Sequence, residues 1–354
     1  MFEQPGWTRK SDRGVDLKYS REENPTVRAL EKVVSKLESA EDSLCFSSGM
    51  AAIASIYLAY MRSGDKLVLP MEAYGATLQL AQDLSRFGVK PVFAWPRAEE
   101  IVEEIDEKVR LVLVETMTNP MLRVIDVPEI SKRCREVGAI LVADNTFVTP
   151  VLYKPLMDGV DLVLHSATKY LSGHNDVVSG VVAGGREEIK RLWDWRRKLG
   201  TILAPIEAYL VLRGLKTLEL RVKRQCESAM IIAEFLKEHS RVKRVHYPGL
   251  PDDEGHKVAK KLFKNGFGGV LSFRIKGGRR EVISLMKSLK VIKPAPSLGG
   301  AESLLAYPII SAAMTIPEEV RRRLGITEDL LRLSIGLEDV EDLIEDLDHA
   351  LKEI

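Results

Sequence analysis

The sequence predicts an α/β protein: a large domain on a mainly parallel sheet, then a smaller C-terminal α+β domain. Three observations predict it. At about 150 residues per domain, a chain of 354 residues suits two domains. From about residue 28 to residue 200, short runs rich in Val and Leu alternate with amphipathic segments, the pattern of buried parallel strands covered by helices. At YPGLPDDEGH, Tyr247 to His256, clustered Pro and Gly mark a change of texture.

In order, the spacing predicts helices over Arg28 to Ser39, Met50 to Met61, Ala76 to Phe87, Pro128 to Val137 and Glu187 to Arg197. Buried strands are predicted at Leu67 to Leu69, Arg110 to Val114, Ile140 to Ala143, Leu162 to Leu164 and Gly180 to Val182. One long helical region, Ile206 to Leu236, follows. The large domain is therefore placed at 28–235 and the smaller one at 236–354. The latter has a strand at Gly269 to Phe273 and a helix near Glu281 to Leu289. In a closing helix, Val340, Leu343, Ile344, Leu347 and Leu351 recur at helical spacing behind Glu338 and Asp339.

Composition narrows the function. Lys plus Arg number 52 against 51 Asp plus Glu, so the basic excess of a nucleic-acid binder is missing. The most apolar stretch, Met50 to Met61, is far below the roughly twenty residues that cross a bilayer. The first fourteen residues lack the apolar core of a signal peptide, so a cytoplasmic protein is expected. Cys45, Cys134 and Cys226 suit buried, reduced thiols. The six histidines and three cysteines show no HxxxH or CxxC spacing, so no metal site is expected. His165, at a strand end, reads as a buried histidine with satisfied ring nitrogens, and Arg321 to Arg323 as a solvated helix face.

Candidate chemistry gathers at strand ends, where α/β sheets bind ligands. In DLVLHSATKYLSGHND a strand runs into Ser166, Thr168 and Lys169. In SSGMAA, Ser48, Gly49 and Met50 open an apolar helix whose free amides would cradle a phosphate. ILVADNTF delivers Asp144, a carboxylate that asks for a cationic partner. Asn119 and Tyr74 follow two further strands. Taken singly, these residues suit plainer roles: a solvent-facing lysine, a Ser47 or Ser48 N-cap, ordinary turn residues. Together they match the needs of pyridoxal phosphate, which requires a lysine, a carboxylate for its pyridine nitrogen, a phosphate cradle and a flat neighbour. Lys169, Asp144, Ser48 to Met50 with Ser166 and Thr168, and Tyr74 supply these. Spacing alone leaves an unidentified α/β enzyme as an equal reading.

The chain also resembles the Cys/Met-metabolism family of pyridoxal-phosphate enzymes. The resemblance runs from YSREENPT (Tyr19 to Thr26) through SSGMAA, YGAT, ETMTNP, ADNTF, SATKYLSGHND and LRGLKTLELR to SLGGAESL (Ser297 to Leu304) and LRLSIGLED (Leu331 to Asp339). It implies a fold type I transferase with a seven-stranded-type sheet and an N-terminal arm, residues 1–27, that contacts a neighbouring subunit. It further implies that Lys169 holds the cofactor, Asp144 partners its pyridine nitrogen and Tyr74 stacks on its ring. Asn119 would lie near the ring hydroxyl, and Ser48, Gly49, Met50, Ser166 and Thr168 would hold the phosphate. Tyr19 and Arg21 match a pair that reaches the phosphate of a neighbouring subunit, which implies a homodimer or homotetramer with shared sites. Arg332 matches the arginine that grips the substrate carboxylate, and Ser297 a serine near the lysine and substrate.

The implied chemistry is γ-replacement or γ-elimination on sulfur amino acids or homoserine esters, like cystathionine γ-synthase or γ-lyase in transsulfuration. The alternatives are O-acyl-homoserine sulfhydrylase or methionine γ-lyase activity and, in another class, a non-catalytic binding module. Lys169, Asp144 and Arg332 together argue against a module, since a base and an electron sink serve turnover. Departures bear on substrate choice. Gln79 stands where cystathionine-handling branches carry arginine, Ala76 where methionine γ-lyases carry cysteine, and Pro296 where an acidic residue is usual. The segment before Tyr19 is short, and Ala312 to Glu319 looks shortened.

Overall fold

The strands β1 (Asp42–Phe46), β2 (Lys66–Pro70), β3 (Lys90–Ala94), β4 (Val109–Glu115), β5 (Ile140–Asp144), β6 (Leu162–Ser166) and β7 (Gly180–Gly184) form one sheet in the order β1-β7-β6-β5-β4-β2-β3. Only β7 runs antiparallel to its neighbours. The computed structural model describes residues 19–354; the short segment before Tyr19 and most of the expected arm lie outside the described residues. The five strands expected from sequence are all present. Two more, β1 and β3, were not expected. DSLCF opens with polar residues, and KPVFA carries Pro91, which is tolerated because β3 is an edge strand and needs no donor on its free side.

Burial on both faces explains the Val- and Leu-rich strands. One face packs Leu111, Leu113, Val142 and Leu164 against the helix Gly49–Tyr60; the other packs Val112, Val114, Leu141 and Val163 against the helix Val127–Val137. Strand order reverses between β2 and β4, and a crevice outside the carboxyl ends follows from that switch.

The region expected as a single helix is two, Pro205–Leu215 and Leu218–Glu238. Arg221 is the reason: its Nη2 donates to Gly214 O at 2.9 Å and its Nε to Thr217 Oγ1 at 3.1 Å, so the last turn of the first helix is bonded to a side chain instead of continuing. The second helix joins two cores. Leu218, Val222 and Cys226 pack under the large sheet, whereas Ala229, Ile232, Ala233 and Leu236 pack under a second sheet. This comprises β8 (Val242–His246), β9 (Val270–Ile275), β10 (Lys293–Pro294), β11 (Leu304–Ala306) and β12 (Leu330–Ser334) in the order β10-β11-β12-β9-β8. The closing helix Val340–Lys352 covers it with Leu343, Leu347 and Leu351, capped by Asp339, whose side chain accepts from Glu341 N–H at 3.1 Å. The three cysteines are all buried. Among the described residues, no helix is long and apolar enough to cross a membrane and no cluster of side chains suits a metal ion.

Candidate active site

The carboxyl ends of β4, β5 and β6 surround a cavity of about 260 Å³ whose lining includes Ser48, Gly49, Met50, Tyr74, Asn119, Asp144, Ser166, Thr168, Lys169 and Arg332. Lys169 lies in a turn closed by Lys169 N–H to Ser166 O at 3.1 Å and Gly173 N–H to Lys169 O at 2.8 Å. Gly173 has φ +72°, and a Cβ there would lie 2.0 Å from Arg221 Nη1. Arg221 itself donates to Tyr170 O at 2.9 Å, clamping the turn from the long helix. Lys169 Nζ donates to Ser297 Oγ at 3.0 Å and forms no ion pair among the described residues. Burial, then the nearby Arg332 charge, lowers its pKa to about 8. A neutral amine is thus accessible near physiological pH, as a nucleophile or base requires.

Asp144 ends β5 without the cationic partner expected from sequence. Instead Thr146 serves it twice: its N–H donates to Asp144 Oδ1 at 3.0 Å and its hydroxyl to the same oxygen. The hydroxyl in turn accepts Ser166 N–H at 2.8 Å, tying β5 to β6. Burial lifts the Asp144 pKa while the Thr146 bonds oppose that lift.

Glu115 was missed by sequence reasoning. It ends β4 in register with Asp144, so both carboxyls share one face. Its Oε1 accepts Tyr74 N–H at 2.7 Å, fixing the turn that carries Tyr74, while its buried Oε2 has no partner. Burial, then the neighbouring Asp144, pushes its carboxyl well above the usual range. The strand-end criterion that picked out Asp144, applied to ETMTNP, would have found it.

At the opposite wall, Ser48 caps the helix Gly49–Tyr60. Its Oγ accepts Ala51 N–H at 3.0 Å, leaving its own proton for a ligand. The Gly49 and Met50 amides have no acceptor within the helix. A Cβ on Gly49 would come 3.2 Å from Ser166 Cβ, and one on Gly180 only 2.2 Å from Ser48 O, so both glycines keep the cradle open and packed. Thr168 lines the cavity, but its hydroxyl is tied to Ser179, donating to its O at 3.2 Å and accepting its N–H at 3.0 Å.

Arg332 enters from β12. Nη1 donates to Asn119 Oδ1 at 2.9 Å, and Nη2 to the carbonyls of Pro296 (2.7 Å) and Ser297 (3.0 Å). Its Nε is buried with no partner, and no carboxylate pairs with it among the described residues. Burial lowers its pKa to about 10. Pro296, the departure from the usual acid, supplies only a carbonyl. Gln79 is exposed and does not line the cavity. The loop at 312–319 rests on the turn after Tyr74, since a Cβ on Gly75 would meet Thr315 Oγ1 at 2.5 Å.

Tyr19 and Arg21 do not reach this cavity in their own chain. The Arg21 guanidinium stands over the Tyr19 ring at 4.9 Å and donates to Arg197 O, and Arg196 Nη2 holds Glu22 O at 2.9 Å. His165 differs from expectation as well: Nε2 bonds Glu38, but its buried Nδ1 has no partner.

This donor set fits pyridoxal phosphate. A buried amine without an acid, two adjoining carboxyls without a cation, a close-packed glycine cradle and a guanidinium with one unused nitrogen each lack what that molecule and an amino-acid substrate carry. The comparisons agree. The chain is 40% identical over 341 residues to a cystathionine beta-lyase of Coxiella burnetii, covering 94% of this chain and 87% of the relative. It is 41% identical over 348 residues to a cystathionine gamma-lyase of Bacillus subtilis, covering 98% and 91%. A cystathionine gamma synthase of Xanthomonas oryzae pv. oryzae, solved with aminoacrylate and cysteine, superposes with TM-score 0.94 at 38% identity, covering 99% of this chain and 90% of that one. With the family model for Cys/Met metabolism PLP-dependent enzymes matching residues 2–352, the chain belongs to that family.

Proposed function

We propose that this enzyme performs γ-replacement or γ-elimination on a sulfur amino acid or homoserine ester, with cystathionine as its preferred partner in one direction or the other. The observation that carries the reading is that one cavity holds the Lys169 amine, bonded to Ser297 Oγ, and an Arg332 guanidinium that no carboxylate occupies among the described residues. Arg332 receives the substrate α-carboxylate, a task for a planar bidentate cation. Lys169 Nζ removes and holds the α proton, steered by its bond to Ser297 Oγ.

Bound pyridoxal phosphate supplies an aldehyde for the amine and a ring that withdraws electrons. Asp144, held by Thr146, keeps negative charge beside the ring nitrogen. Ser48, Gly49, Met50, Ser166 and Thr168 would hold the phosphate, Tyr74 would cover the ring and Asn119 would serve its hydroxyl edge. Tyr19 and Arg21, lying outside their own chain's cavity, complete that of a second copy, so the working unit is a homodimer or homotetramer, placed in the cytoplasm. In this reading residues 1–27 form the arm, 28–235 the cofactor domain and 236–354 the smaller domain.

The test is to supply the purified enzyme with cystathionine, with homoserine esters plus cysteine or sulfide, and with methionine, and to compare kcat/KM and products. Cleavage of cystathionine to 2-oxobutanoate, or its synthesis from an ester and cysteine, supports the reading. Pyruvate with homocysteine, the products of β-elimination from cystathionine, overturns the γ reaction type; dominance of methionine or of ester plus sulfide overturns the substrate preference.

A further inference from the structure

One carboxyl of the cavity has no task in the proposed reaction. Glu115 ends β4 and lines the cavity with only 7% of its surface exposed. Its Cα stands in register with that of Asp144 on the neighbouring parallel strand, which puts both side chains on one face of the sheet. We propose that Glu115 is a positioning residue for the reaction: a carboxyl that keeps its proton, fastens Tyr74 and Asn119 in place, and leaves Asp144 to carry the negative charge of the pair. This rests on the reading of the cavity as the pyridoxal-phosphate site and adds a residue to it.

The fastening is visible in the hydrogen bonds. Glu115 Oε1 accepts Tyr74 N–H at 2.7 Å, and Tyr74 begins the helix Gly75–Asp83 with no side-chain cap of its own, so the bond to Glu115 is what anchors that turn to the sheet. The Asn119 amide faces the same carboxyl, and Asn119 Oδ1 in turn accepts Arg332 Nη1 at 2.9 Å. One side chain therefore links the tyrosine assigned to cover the ring with the guanidinium assigned to the substrate carboxylate.

The surroundings fix where the proton lies. Two acids face Glu115, Asp144 from β5 and Glu72 from the turn after β2. Glu72 has its own partners: Thr118 Oγ1 and Met121 N–H, both at 2.8 Å, and Arg123 at 3.4 Å. No cation pairs with Glu115 among the described residues. The cations of the cavity are held elsewhere, Lys169 by Ser297 and Arg332 by Asn119 and two carbonyls. Glu115 Oε2 is buried and takes part in no hydrogen bond. Ionised, that oxygen would carry unpaired charge in a buried site beside a second carboxylate; a proton on it removes the cost. Asp144 is the member suited to stay charged, because Thr146 gives one of its oxygens two donors and His165 on β6 favours its anion.

The test compares the full chain with its Glu115→Gln and Glu115→Leu variants, with and without pyridoxal phosphate. Gln is uncharged and still offers an acceptor to Tyr74 N–H, whereas Leu offers none. Infrared spectra of the cofactor-free protein at neutral pH should show a carboxylic-acid carbonyl band in the parent that is lost in Gln. Pyridoxal phosphate should bind Leu about tenfold more weakly or worse, because binding must then order Tyr74 and Asn119, and Gln should return the affinity to within about threefold of the parent. KM for the amino acid should rise in Leu and recover in Gln, through Asn119 and Arg332. An infrared spectrum unchanged in Gln, a Gln variant as weak as Leu, or a Leu variant with parental affinity overturns the proposal. If Leu does not fold, the infrared band and the affinity of Gln decide it. Failure of the cofactor reading looks different, since the parent itself would then take up no pyridoxal phosphate and both would fall.

Discussion

Replacing Thr146 by Val keeps the side-chain shape and removes one oxygen that serves two partners. It donates to Asp144 Oδ1 and accepts Ser166 N–H at 2.8 Å. A hydrogen bond to a charged group contributes about 1.5–3 kcal/mol. The Thr146 hydroxyl is the largest influence opposing the effect of burial on Asp144, so its loss moves that carboxyl further up and leaves less negative charge beside the ring nitrogen. If the transition state feels that energy, kcat falls roughly tenfold to a hundredfold. KM should change less, because Arg332 and its partners are untouched. Stability responds separately: the Ser166 amide loses its acceptor, a buried unsatisfied donor costing about 1–3 kcal/mol. Steady-state kinetics, thermal unfolding and the pH dependence of cofactor absorption should be measured together. Thr146→Ser keeps the hydroxyl and should recover kcat and the spectrum. A Val variant within twofold of the parent in kcat, with an unaltered spectrum, would refute the assignment of Thr146 as the residue that holds Asp144 charged.

Two further outcomes follow from the same geometry. Cofactor-free protein should capture pyridoxal phosphate with a rate that rises through pH 8, since Lys169 is half neutral at about 8 rather than near the ordinary lysine value of about 10.4. Arg332→Leu removes a charge that lowers this pKa, so the midpoint should move up; a midpoint that stays put, or moves down, contradicts the assignment. Gly173→Ala would place a Cβ 2.0 Å from Arg221 Nη1 at a φ of +72°, and strain of this kind with loss of the clamp should destabilise by about 2–4 kcal/mol. Denaturant unfolding checks it, and a change below about 0.5 kcal/mol, the range of neutral surface substitutions, rules the clamp out.

The sheet strands that position the site were legible because both faces are buried, which forces unbroken runs such as LVLV at Leu111 to Val114. β1 escaped notice because its five residues, though all buried, begin with Asp and Ser. Lys169 and Asp144 could be read because each directly follows or ends an apolar strand. Glu115 satisfies the same rule, ending β4 beside Asp144 at the end of β5. Thr146 and Arg221 were beyond sequence reasoning for a physical reason. A side chain that turns back to bond a residue two positions earlier, or that caps a helix from a neighbouring one, leaves no periodicity and no change of composition. The break between Leu215 and Leu218 was hidden likewise, because the apolar helical pattern continues across it while Arg221 draws the Gly214 carbonyl away.

The charges of the cavity are arranged like beside like. Arg332 disfavours positive charge on Lys169, and Asp144 disfavours negative charge on Glu115. A protein selected for stability alone would cross-pair them, since a buried charge left without its opposite is costly. Here the cross-pairs are withheld: Lys169 is given a serine, Arg332 an amide and two carbonyls, Asp144 a threonine. Each of these neutral partners satisfies hydrogen bonds without cancelling charge. The cavity is therefore complementary to something that is negative where the cations meet and positive where the acids meet. In the proposed function, an amino-acid carboxylate at Arg332 and a protonated ring nitrogen at Asp144 would meet both requirements at once, and in doing so would convert the repulsion within each pair into binding energy.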